Sequence, residues 1–102
     1  VNKNKLQIQD LVRLLAVNPC KIYKIKNKGK ISLGYDADLT IIDMEKQFEI
    51  TDKWIASKSG WTPYNNVKIK GMPIVTIVNG KVAMRDNEIN EKLYGKCVEF
   101  NS

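Results

Sequence analysis

The pair Asn79-Gly80, set between two apolar β-rich runs, constrains this chain more than any other feature. Both central positions of a type I′ turn need positive φ, which Asn and Gly tolerate. The pair therefore predicts a two-residue hairpin joining residues 73–78 to residues 81–85. A loop of that length sets Ile77 opposite Val82 and Val75 opposite Met84. Those four would share one face, with Thr76, Ala83 and Arg85 on the other. Residues 38–43 and 47–50 read as two further strands, Asp86-Asn87 as a turn, and residues 96–100 as a last strand.

The start of the chain has a different period. Ile8, Leu11, Val12 and Leu15 recur at helical spacing while Gln9, Asp10 and Arg13 fall on the other side, which predicts an amphipathic helix over residues 8–17. Asn18-Pro19 then offers an N-cap residue followed by proline at the first helical position, so a second helix is expected from Pro19 to about Ile25. Thr51-Asp52 offers a cap for a brief helix over residues 53–56, and the Ser, Gly, Pro and Asn content of residues 57–66 reads as a loop. Two helices followed by four to six strands suggest an α+β piece whose layers belong to different structural contexts, not an alternating parallel sheet.

Composition narrows the function classes. A chain of 102 residues holds one small core and is too short for a catalytic barrel of roughly 250 residues. Hydrophobic residues at 43% and charged residues at 27% argue against a disordered tail. No apolar run reaches the ~18 residues of a membrane span, and the first residues lack the apolar stretch of a signal peptide, so a cytoplasmic protein is expected. A start at Val1 in place of methionine fits a cut or truncated product as well as a processed one.

The net charge of +6 raises the question of an acidic partner, yet all of the 17 cations except Arg13 and Arg85 are lysine. Specific phosphate and base recognition leans on arginine's planar fork, so neither nucleic acid nor a membrane is expected as a partner. The densest basic run, residues 21–30, reads as a solvated helix end and turn. Cys20 and Cys97 lie far apart, and the chain has no histidine. They can build neither the usual four-ligand zinc site nor a Cys-His nucleophile pair, so two reduced structural thiols are expected.

Asn18-Pro19, then Gly29-Lys30-Ile31, Gly34-Tyr35-Asp36-Ala37-Asp38-Leu39 and Asp43, resemble the stretch that follows the last barrel strand in the amidohydrolase superfamily: an "NPA" helix and then "KG.I..G.DADL...D". Cys20 stands where the pattern has alanine, a small-for-small change. Ser57-Lys58-Ser59-Gly60-Trp61-Thr62-Pro63-Tyr64, Gly71-Met72-Pro73 and residues 76–82 are similar to the "SKS..TPF....G.P..TIV.G.VV" segment of dihydroorotases. The resemblance covers about residues 6–100. Allantoinases carry a similar Thr-Pro-Tyr loop, and they or a hydantoinase-like enzyme are the alternative within the superfamily.

Two groups of residues invite a site. Asp36, Asp38 and Asp43 could be taken for a metal-binding carboxylate cluster, but the sequence supplies no glycine-bearing calcium loop and no further converging ligand. The structural reading is a turn in which Gly34 permits a reversal, Asp36 and Asp38 accept backbone N–H bonds, and Leu39 and Ile41 point into a core. Trp61, Pro63 and Tyr64 could form an aromatic platform for a ligand. The resemblance implies that their loop packs a β-sandwich against a barrel, with subunit contact as the functional alternative.

The resemblance implies a fold made of the last helices of a (β/α)8 metal-dependent hydrolase barrel (residues 1–28) and the C-terminal strands of a composite β-sandwich (residues 29–102). It implies a zinc-dependent parent enzyme that interconverts N-carbamoyl-L-aspartate and dihydroorotate. The metal-binding histidines, aspartate and carboxylated lysine of such an enzyme would lie outside this chain. No catalytic, substrate-binding or metal residue is therefore assigned to it. Its expected partner is the remainder of the same polypeptide, with a homodimer compatible with the resemblance. A free-standing basic β-rich binding module is the competing class, but the predicted hairpin face of Val75, Ile77, Val82 and Met84 is aliphatic where such a module would carry interleaved cations and aromatics.

Overall fold

Helical periodicity at the start of the chain becomes one continuous helical rod in the computed structural model, which describes residues 1–101. It comprises α1 (Ile8–Val12), a π-helical turn (Arg13–Val17) and α2 (Asn18–Ile22). At its start the Gln7 N–H donates to the Asp10 carboxylate, and Asp10 also binds Arg13 one turn on, at 2.8 Å. Asn18 is not a cap. It has helical dihedrals (φ −66°, ψ −45°), and its N–H donates five residues back to the Arg13 carbonyl. The reason lies in Pro19, which has no N–H and whose ring would crowd the carbonyl four residues before it. A widened π turn just ahead accommodates the ring without breaking the rod.

The rod stops at Ile22, short of the expected Ile25. Lys24 enters the left-handed region at φ +55°, its N–H donates to the Lys21 carbonyl, and the Ile25 N–H reaches back to Cys20 at 2.9 Å. This is a Schellman stop with lysine in the place glycine usually takes.

The strands form one antiparallel sheet in the order β1 (Leu39–Glu49), β2 (Lys68–Val78), β3 (Lys81–Arg85) and β4 (Glu88–Ile89). The two expected strands at 38–43 and 47–50 are one. Met44, Glu45 and Lys46 bulge opposite Gly71, and Asp43 accepts the N–H groups of Glu45 (2.9 Å) and Lys46 (3.2 Å) inside that bulge. The Asn2 side-chain amide donates to the carbonyls of Met44 and Lys70, tying the start of the chain across it. Pro73 is tolerated in β2 because the pairing steps past Ile74 beside it, leaving a second bulge where a missing N–H does least harm.

The hairpin turn forms as its residues require, with Asn79 at φ +50° and Gly80 at φ +77°. Ile77 opposes Val82, but Met84 opposes Thr76 and Arg85 opposes Val75. The expected pairing of Val75 with Met84 fails because Ala83 is an extra residue on β3, a bulge that shifts everything beyond it by one. Asp86 (φ +48°) and Asn87 (φ +69°) make the next turn and lead into β4.

Two other expected elements are absent. Residues 53–56 are not helical: a turn covers residues 52–54 only, and the Asp52 carboxylate is occupied by the Thr62 N–H at 2.8 Å and does not cap. Residues 96–100 contribute a single bridge, Ile25 to Phe100, flanked by Lys26 N–H to Glu99 and Asn101 N–H to Lys24. No helix among the described residues is long and apolar enough to cross a membrane.

Candidate functional site

The start of β1 is where the stereotyped residues meet. Asp38 accepts the Asn79 N–H at 2.9 Å and pairs with the Lys28 ammonium, which also holds Asp36 at 3.0 Å. The Gly80 N–H donates to Ala37 at 2.9 Å, so the segment is stitched to the tip of the β2–β3 hairpin. The Asn79 N–H, and then the Lys28 ammonium, hold the Asp38 carboxyl below its ordinary range. Asp38 first and Asp36 second raise the Lys28 ammonium above its own. Asp38 thus takes the backbone-accepting role expected of it. Asp36 does not, because its carboxylate is spent on Lys28.

These carboxylates do not converge on an ion. Asp36 and Asp38 face Lys28, whereas Asp43 turns into the β1 bulge, and no group of three His, Cys, Asp or Glu residues suited to a metal occurs among the described residues. Cys20 and Cys97 are both free thiols, Cys20 half-buried and Cys97 exposed. The donor set needed for zinc does not fit this chain.

The 57–66 loop is held by its polar residues and displays its rings. Asp52 accepts the Thr62 N–H, the Asn65 side chain accepts the Asp52 N–H at 2.9 Å, and the backbone N–H of Asn66 donates to the Ile50 carbonyl at 2.7 Å. Trp61 stays 63% exposed, and Tyr64 is similarly bare. The tryptophan that does pack is Trp54, missed in the sequence for want of a motif. Its ring lies 5.2 Å from Phe48, and its indole N–H donates to Asn87 at 3.0 Å.

Between rod and sheet runs an open groove of about 650 Å³, lined by Leu11, Val12 and Leu15 on one side and by Leu39, Ile42 and Met72 on the other. Met72, 3% exposed, is the one buried hydrophobic among the described residues, while Leu15 on the predicted core face of the helix is 72% exposed. Ile41, expected to point into a core, is exposed as well, because none of the described residues covers its side of β1. The molecule exposes 8499 Å², where a folded monomer of 11.6 kDa exposes about 5,800 Å². The excess is about 2,700 Å² on this chain alone, where a standard protein–protein interface buries about 800 Å² of each partner. A radius of gyration of 15.4 Å, against roughly 13 Å for a compact domain of this length, says the same.

The chain is similar to one stretch of longer known proteins. Residues 1–83 match the Amidohydrolase family. The chain is 45% identical over 98 residues to the dihydroorotase of Pyrococcus horikoshii and 43% identical over 98 residues to that of Pyrococcus furiosus, in each case covering 96% of this chain and 23% of the relative. It therefore spans about a quarter of the length of these relatives. Among solved structures, the L-hydantoinase (dihydropyrimidinase) from Arthrobacter aurescens superposes with a TM-score of 0.80 at 29% identity, over 87% of this chain and 20% of that one. The D-hydantoinase (dihydropyrimidinase) from Thermus sp. does so with a TM-score of 0.80 at 30% identity, over 93% of this chain and 21% of that one.

Proposed function

The chain belongs to the amidohydrolase family, and from that premise we propose that it is the C-terminal structural part of a dihydroorotase, the enzyme that reversibly cyclises N-carbamoyl-L-aspartate to dihydroorotate in pyrimidine synthesis. The observation that carries this reading is the bare apolar surface of a chain that spans 23% of its dihydroorotase relatives. In this reading residues 1–28 end the barrel and residues 29–102 belong to the β-sandwich. The exposed face of Val12 and Leu15 then lies against the remainder of the same polypeptide. The outer edge of β1, which has no strand partner among the described residues, accepts further strands from it.

The chain's contribution to catalysis is mechanical. Its residues close the barrel wall and complete the sandwich, and the Lys28–Asp36–Asp38 cluster fixes the start of β1 against the hairpin. Zinc, which supplies an activated water in the proposed parent enzyme, would be held entirely by residues outside this chain, because the sequence has no histidine and no group of three His, Cys, Asp or Glu residues suited to a metal occurs among the described residues. In the same proposal the loop of Trp61, Pro63 and Tyr64 packs the sandwich against the barrel, and contact between two subunits is its alternative role.

The hydantoinase structures support a second reading, a cyclic amidohydrolase acting on a hydantoin-like ring. Identity of 45% to a dihydroorotase against 29% to a hydantoinase favours the first. Turnover of dihydroorotate, hydantoin and allantoin by the whole polypeptide tests it. Dihydroorotate is the expected substrate, and preferential hydrolysis of either other ring overturns the assignment.

A further inference from the structure

The basic run of residues 21–30 forms the solvated helix end and turn expected of it, and four of its lysines also border a concavity. Lys21 and Lys24 from the end of the rod, Lys28 and Lys30 from the next loop, and Tyr35 and Asn101 line one open cavity of about 340 Å³. Its shape follows from backbone already described. Left-handed Lys24 and Asn27 (φ +57°) fold the chain back, and the strap of Glu99 and Asn101, hydrogen-bonded to Lys26 and Lys24, closes one side.

The cavity is electrostatically one-sided. No Asp or Glu side chain lines it. Lys28 is neutralised by Asp36 and Asp38, but Lys21, Lys24 and Lys30 have no carboxylate within ion-pair distance among the described residues. The Lys30 ammonium sits 5.2 Å above the Tyr35 ring, which keeps it at the cavity wall. A space of this volume is about 9 Å across, close to the ~8 Å Debye length at physiological ionic strength, so salt only partly screens the attraction of the lining lysines for an anion inside it. Lysines bind phosphate oxygens as point charges and make few demands on geometry, which suits a multiply charged group better than a single carboxylate.

We propose that this cavity is a binding site for a multiply charged phosphate group, carried either by inorganic pyrophosphate or by a small phosphate ester. The site is independent of the proposed hydrolase reaction and makes no use of the groove between rod and sheet.

Calorimetric titration of the whole polypeptide at low ionic strength tests it, with inorganic pyrophosphate as one probe and ribose 5-phosphate as the other. Expected is saturable one-site binding of at least one probe, the tighter naming the source. That binding should weaken tenfold or more in Lys21→Gln/Lys30→Gln and stay unchanged in Lys58→Gln/Lys92→Gln, whose lysines lie elsewhere. Thermal melts confirm that each variant folds, and the single variant Lys24→Gln carries the test should the double one melt early. Absence of saturable binding by both probes, or equal weakening in the two double variants, overturns the proposal. Dihydroorotate turnover is assayed on the same samples, so failure of the reaction and failure of the anion site are read separately.

Discussion

Replacing Gly29 with alanine probes the junction of rod and sheet with a cost that can be worked from geometry. Gly29 has φ +95°, and a Cβ there would lie 2.9 Å from both Cβ and Sγ of Cys20 and 3.1 Å from the Ala16 carbonyl oxygen. Gly34, at φ +80°, has nothing within 4 Å of the same added atom. Gly34→Ala therefore measures the backbone penalty alone, about 1–2 kcal/mol. Gly29→Ala adds overpacking against the helix, about 1–3 kcal/mol more, for a total near 3–4 kcal/mol. Because the clash involves Cys20 Cβ and a backbone oxygen, Cys20→Ala removes only the sulfur and should rescue little of it. Urea denaturation of the whole polypeptide gives the three values from the midpoints at constant m. Equal losses for Gly29→Ala and Gly34→Ala would refute the close approach, and full rescue by Cys20→Ala would show that the thiol alone fills the space.

Two further outcomes follow from particular contacts. Asp38 is held below its ordinary range by the Asn79 N–H and Lys28, so its stabilisation is present at neutral pH, above the unfolded carboxylate value of about 3.9, and is lost as pH falls through the lower folded value. Denaturation midpoints taken between pH 7 and pH 3 should fall less steeply for Asp38→Asn than for the natural sequence, and parallel slopes would contradict the contact. Asn18→Ala should be neutral or stabilising by up to about 0.5 kcal/mol, since Asn18 lies inside the rod and alanine is the better helix former. A loss of 1 kcal/mol or more would restore it as a cap.

What could be read in the sequence was whatever a residue decides locally. Asn79-Gly80 forces its turn because both positions need left-handed backbone, and Asp38-Leu39 marks the start of β1 because a short carboxylate there can take an N–H from the neighbouring turn. The bulges at Ala83, at Ile74 and over Met44 to Lys46 are set by pairing across the sheet, and nothing in one strand's own pattern announces them. The rod illustrates a conflict of rules. Asn-Pro signals a helix start, but a continuous apolar face and a π turn carry the chain through it. Lys24 stops the rod in a left-handed conformation that no glycine advertises. Likewise the lysine run reveals its charge in sequence and its concavity only once residues 99–101 are laid against it.

The central claim is that this chain supplies structure to an active site made wholly by another part of the polypeptide. It is tested by measuring zinc content and dihydroorotate hydrolysis for this chain, for the remaining part of the polypeptide, and for their mixture. The account predicts no tight zinc and no hydrolysis from this chain alone, association through its bare apolar face, and activity in the mixture with the metal bound to the other part. Hydrolysis or stoichiometric zinc in this chain by itself would contradict it.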